Sequence, residues 1–194
     1  MPFPALLAAV LLLVQAAPQN PARPQLPAGD VLRGQAVFEG KGECLSCHRV
    51  GGKGSRFGPD LTDIGARAGS NLGRGQGAAP ALAPIPPDPG PLVRAQQELE
   101  RSLVDPDADI APQHRTVRVV TRAGEAFTAR LLNQNTFTLQ LIDTREQLRS
   151  IEKSDLSELT FLKTSPTPSY ATKLNSQELA DVISYLISLQ GINR

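Results

Sequence analysis

Residues 43–50 read ECLSCHRV, and the stretch Cys44-Leu45-Ser46-Cys47-His48 inside them decides how the rest of the chain is read. The chain has two cysteines, and both lie in this one CxxC. A thioredoxin-like dithiol needs a βαβ context at the motif, and no strand pattern precedes it. A zinc site needs two further ligands, and His114 is the only other histidine. A plain disulfide has no use for an adjacent imidazole. The spacing CxxCH is that of c-type haem attachment. Two intervening residues let one turn of chain bring both thiols to the two vinyl groups on neighbouring porphyrin edges. The next residue, His48, then points under the iron. One covalent haem c is therefore expected on Cys44, Cys47 and His48.

Working outward, residues 34–65, GQAVFEGKGECLSCHRVGGKGSRFGPDLTDIG, resemble the N-terminal half of a class I-type cytochrome c. The resemblance implies that Gly34 and Phe38 on a first helix pack against an aromatic on the last, matched by Tyr185. It implies that Pro59, in Gly58-Pro59-Asp60-Leu61, accepts a hydrogen bond from His48 with its backbone carbonyl. Such a bond orients the imidazole and raises its basicity. Residues 91–104, DADIAPQHRTVRVVTRAGEAFTARLL (107–132), KSDLSELTFLKTSPTPSY (153–170) and ELADVISYLISL (178–189) resemble a bacterial haem-domain subfamily carrying a small β-rich insert before the distal-ligand segment, some of whose members are fused to or encoded beside secreted dehydrogenases. In that subfamily the stretch matching Ser165-Pro-Thr-Pro-Ser-Tyr170 supplies a distal methionine. Here the matching position is Thr167.

Met1 is the one methionine in the chain, so the second axial position of the iron has no standard occupant. Three answers stand open. His114 would give a bis-histidine iron. An open or water-bound site would leave Thr167 lining the distal side. Lys163, Lys173 or Asn175 would swing in. Methionine raises haem potential relative to other axial partners, so each answer implies a lower potential than that of relatives with methionine.

The flanks divide the 194 residues. Leu6 to Val14 is a continuous apolar run of signal-peptide length, too short to span a bilayer, so residues 1–17 are expected to be a cleaved export signal. Residues 18–28 read as a Pro-rich tether and residues 29–190 as the haem domain. Within it, residues 69–90 are a Gly/Ala/Pro loop, and residues 115–162 alternate in β-branched runs separated by turn residues. Residues 91–104 and a stripe from Leu179 to Leu189 carry helical periodicity. The expected fold class is a mainly α cytochrome c domain with an inserted small antiparallel β subdomain, α+β overall.

A net charge of +1 offers no handle for nucleic acid or an anionic surface, and no second apolar run reaches spanning length. No nucleophile–base set and no phosphate loop is visible. The expected function is an exported or periplasmic monohaem cytochrome that carries electrons to or from a redox partner, such as a secreted dehydrogenase, rather than an enzyme. The alternative is a haem sensor or peroxidase-like enzyme with an open distal site, for which His114 with Arg115 is the available acid–base pair.

Overall fold

A computed structural model describes residues 26–69, 89–111 and 114–191. The expected signal at 1–17, most of the tether and nearly all of the 69–90 loop lie outside the described residues.

Helix α1 (Val31–Glu39) begins where Asp30 accepts a hydrogen bond from the Arg33 amide at 2.8 Å, and Gly40 ends it. Helix α4 (Ser176–Ser188) opens with a capping box in which Asn175 and Glu178 satisfy each other's backbone donors. The two helices cross in direct backbone contact. A Cβ on Gly34 would overlap the Asp181 carbonyl and come within 2.9 Å of Tyr185 Cβ, so only glycine permits this approach. Beside the crossing, Phe38 and Tyr185 meet with ring centroids 5.3 Å apart, tilted by 59°. Asp181, buried on α4, accepts from the Arg33 guanidinium at 2.8 and 3.0 Å, from the Asp30 amide at 2.7 Å and from Gln177 at 2.9 Å. Its charge is thus spread over four donors rather than left bare.

Helix α3 (Pro91–Val104) starts at a proline in the first turn and buries Ala95 and Leu99. The short α2 (Ile64–Arg67) ties back to the end of α4 through the Gly65 amide on the Leu189 carbonyl at 2.8 Å. A two-residue ladder, β1 (Arg49–Val50) with β2 (Lys53–Gly54), closes the loop just after the CxxCH motif.

Five antiparallel strands follow: β3 (Thr116–Thr121), β4 (Ala126–Gln134), β5 (Thr138–Asp143), β6 (Leu148–Glu152) and β7 (Leu156–Phe161). Their order across the sheet is β6-β5-β4-β3-β7. The two edge strands are therefore consecutive in sequence, joined by the single 3-10 turn Lys153–Asp155. A three-residue link cannot cross a flat sheet of five strands, so the sheet curls until its edges nearly meet. Val117, Val119, Ala129, Leu139 and Leu141 point into the curl and are fully sealed there, with no helix among the described residues packed in their cluster.

This corrects the expected fold class. Helix accounts for 32% and strand for 26% of the described residues, and the five-stranded antiparallel sheet rules out a mainly α cytochrome fold. The physical reason is that residues 116–161 bury their own apolar core, separate from the core around α1, α3 and α4. They form a second half of the molecule rather than a minor decoration.

Gly34→Ala should lower stability by about 1–3 kcal/mol, because neither backbone at the crossing can yield, and denaturant unfolding reads the loss. The Arg33 guanidinium holds the Asp181 carboxyl down at about 2, below the unfolded value of about 4. A depressed acid stabilises the fold above its unfolded pKa and loses that contribution as pH falls toward the folded one. The unfolding temperature should therefore fall between about pH 4 and pH 2, and Asp181→Asn should flatten that limb while lowering stability at neutral pH.

Candidate haem site

The chain leaves α1 through Gly40 and Gly42 and turns at Glu43, whose φ of 53° is left-handed. A 3-10 turn over Cys44–Ser46 then sets the two thiols, with the Cys47 and His48 amides both bonded to the Cys44 carbonyl at 3.2 and 2.8 Å. Both thiols are free; Cys44 is buried and Cys47 half-buried. Burial pushes the Cys44 thiol up, so it rests protonated.

His48 Nδ1 lies 2.9 Å from the carbonyl oxygen of Pro59. A carbonyl only accepts, so Nδ1 carries the proton and Nε2 is left with its lone pair. Burial lowers the His48 pKa, the Pro59 carbonyl opposes this, and the nearby Arg130 charge adds to the lowering. The neutral imidazole is the form that binds a metal. Gly58 is required here, because a Cβ on it would press against the Cys47 carbonyl and the His48 ring at 2.7 and 2.9 Å.

A shallow cleft of about 80 Å³ opens beside the motif, lined by Cys44, Cys47 and His48 on one side and by Thr167, Pro168 and Tyr170 on the other. Tyr170 is a buried wall of it, and its hydroxyl donates to the Gly42 carbonyl at 2.6 Å and sits 3.9 Å from Cys44 Sγ. Burial, with the Cys44 thiol beside it, pushes the Tyr170 phenol far up. Lys173 reaches back to Glu43 at 2.6 Å and Lys41 to Glu178 at 2.8 Å, pinning the segment before α4 and α4 itself to the approach to the motif.

The structure brings Cys44, Cys47, His48 and Pro59 together, and Thr167 faces them across the cleft. His114 does not line the cleft. Its imidazole is held below its usual range by burial and then by the charges of Arg130, Arg67 and His48. Arg115 is exposed. Of the other candidates, Asn175 is committed to the α4 cap, Lys173 is paired with Glu43, and Lys163 is exposed. Tyr170 went unweighed in the sequence; its one signal was its place at the end of the stretch holding Thr167.

Among the described residues no group of three His, Cys, Asp or Glu side chains is placed to hold a bare metal ion. Two free thiols, a neutral imidazole presenting Nε2 and a cleft between them suit a covalently held metalloporphyrin instead. The class of site is thus a cofactor cleft with two thiols and one imidazole in its wall. Residues 31–86 match the cytochrome c family model. A cytochrome c domain implies covalently bound haem c with its iron, a role in electron transfer, and redox partner proteins. No curated protein matches the chain. No helix among the described residues is long and apolar enough to cross a membrane.

Tyr170→Phe should leave the Gly42 carbonyl without its donor and cost about 1–3 kcal/mol in unfolding free energy, with faster amide exchange across Gly42–Cys44.

Proposed function

We propose that the protein is an exported monohaem electron carrier whose haem is held by Cys44 and Cys47 and ligated by His48. The observation that carries this reading is the hydrogen bond from His48 Nδ1 to the Pro59 carbonyl beside two free thiols. When bound, haem supplies one-electron chemistry between ferric and ferrous iron. The chain's own work is positional. Pro59 fixes the imidazole plane and tautomer, Gly58 lets the ring and backbone pack closely, and Tyr170 seals the motif from the far side. Residues 29–190 act as one haem-carrying unit, and the apolar run within residues 1–17 supports export, with a secreted dehydrogenase as the partner class.

The distal side belongs to Thr167. Its position in the cleft lining, and the absence of His114 from that lining, support an iron without a protein ligand opposite His48. A threonine hydroxyl is a weak ligand, and the potential then sits below that of a His–Met haem.

The test is ferric EPR on protein matured with covalent haem. A high-spin signal is expected, unchanged in His114→Ala. Thr167→Met should convert it to low-spin and raise the midpoint potential. A low-spin wild type that turns high-spin in His114→Ala would replace the open distal side with bis-histidine ligation. Protein that acquires no covalent haem, or that keeps it after Cys44→Ser with Cys47→Ser, would overturn the assignment.

A further inference from the structure

The β half reaches the haem motif through one side chain. Arg130, on β4, points away from the sealed interior of the curled sheet, since its neighbours Ala129 and Leu131 point into it. Its register partners on either side, Thr116 and Ile142, share its face and are buried although they take no part in the sheet's apolar core. This row across β3, β4 and β5 lies on the outer face of the sheet, from which Arg130 reaches residues 56–58.

From it the Arg130 guanidinium donates to three successive backbone carbonyls: Nε to Phe57, and Nη2 to Arg56 at 3.0 Å and to Gly58 at 3.3 Å. The next carbonyl in the chain, that of Pro59, is the one that holds His48. A second clasp lies alongside, where Glu146, after β5, pairs with the Arg56 side chain at 3.6 Å and offers it a backbone carbonyl at 3.4 Å. Among the described residues Arg130 pairs with no carboxylate, so its half-buried charge is balanced only by carbonyl dipoles. A fork of fixed geometry suits three carbonyls better than a lysine does.

We infer that Arg130 is the positioning and potential-setting residue of the haem site, through which the β half holds the 56–59 loop on His48 and biases the iron toward its reduced state. The inference rests on the proposed haem assignment. The reasoning is electrostatic and mechanical. Reduction adds one electron, delivered by the partner protein, and lowers the charge at the iron by one, with no proton moved. An uncompensated cation in a poorly solvated position near His48 disfavours the more positive ferric state and so favours reduction. The same side chain restrains the carbonyls that lead to Pro59, and hence the orientation of the imidazole. In a chain whose distal segment carries threonine where a methionine would raise the potential, a fixed positive charge on the proximal side acts in the methionine's direction.

The test compares full-length holoprotein with Arg130→Gln and Arg130→Lys, using redox titration and hydrogen exchange of residues 55–59. Arg130→Gln should lower the midpoint potential, so that the ferrous-to-ferric ratio at a fixed ambient potential falls several-fold, and should speed exchange in the loop. Arg130→Lys should retain most of the potential while still loosening the loop, because the charge stays and the fork is lost. An unchanged potential in Arg130→Gln, with covalent haem present, overturns the inference and leaves the haem assignment standing. Wild-type protein without haem overturns the assignment instead. If Arg130→Gln does not fold, Arg130→Lys decides alone: unaltered loop exchange overturns the inference, and faster exchange at a retained potential supports it.

Discussion

The close crossing of α1 and α4 at Gly34 is the constraint on which the haem site depends. Each wall of the cleft is an extension of one of these two helices. The motif follows α1 after a short glycine turn, and the segment carrying Thr167 and Tyr170 immediately precedes α4. Because the helices meet backbone to backbone, with Asp181 receiving Arg33, Asp30 and Gln177 on one side and Phe38 against Tyr185 on the other, the walls cannot drift apart independently. The Tyr170–Gly42 hydrogen bond and the Lys173–Glu43 and Lys41–Glu178 pairs then fix the gap close to the thiols. The exposed pairs add little energy. Their place between the two walls is what gives them meaning.

The β half obeys a separate constraint. With consecutive strands at opposite ends of the sheet and only Lys153–Asp155 between them, curvature is forced by connectivity. A curled sheet of this kind fills its own interior, which leaves its outer face available for other work. Here part of that outer face is turned against the loop that ends at Pro59, so the two cores stay apart while polar groups bridge them.

Much of this was legible along the chain. CLSCH is a local chemical pattern, so it is read without knowing the fold. Val117-Arg118-Val119 and Leu139-Gln140-Leu141 alternate because one side of each strand faces a dry interior, while Thr116 and Ile142 are buried on the other side. The expected balance of helix to strand fails because the motif lies in the helical segment, while the β runs bury a core of their own that no local motif announces. What stayed hidden depends on contacts between distant residues. Tyr170 meets Gly42 across 128 positions, and Arg130 meets Phe57 across 73. Neither sits in a motif, and an arginine in the middle of an alternating strand looks like any solvated outward residue. Gly58 is legible as the first residue of Gly58-Pro59-Asp60-Leu61, but its close packing on the His48 ring appears in three dimensions alone.

The missing methionine and the misplaced-looking arginine belong to one problem. A haem with a single histidine ligand loses both potential and rigidity relative to one clamped from two sides. Rigidity can be restored on the proximal side alone, provided the loop behind the histidine is held by something stiffer than itself. A strand in the middle of a sealed sheet meets that need, because β4 is hydrogen-bonded on both edges, to β3 and to β5. Charge delivered from such a strand is also fixed in distance, unlike charge on a surface lysine. The two parts of the molecule thus meet through Arg130 at the loop that leads to Pro59, although each has its own core.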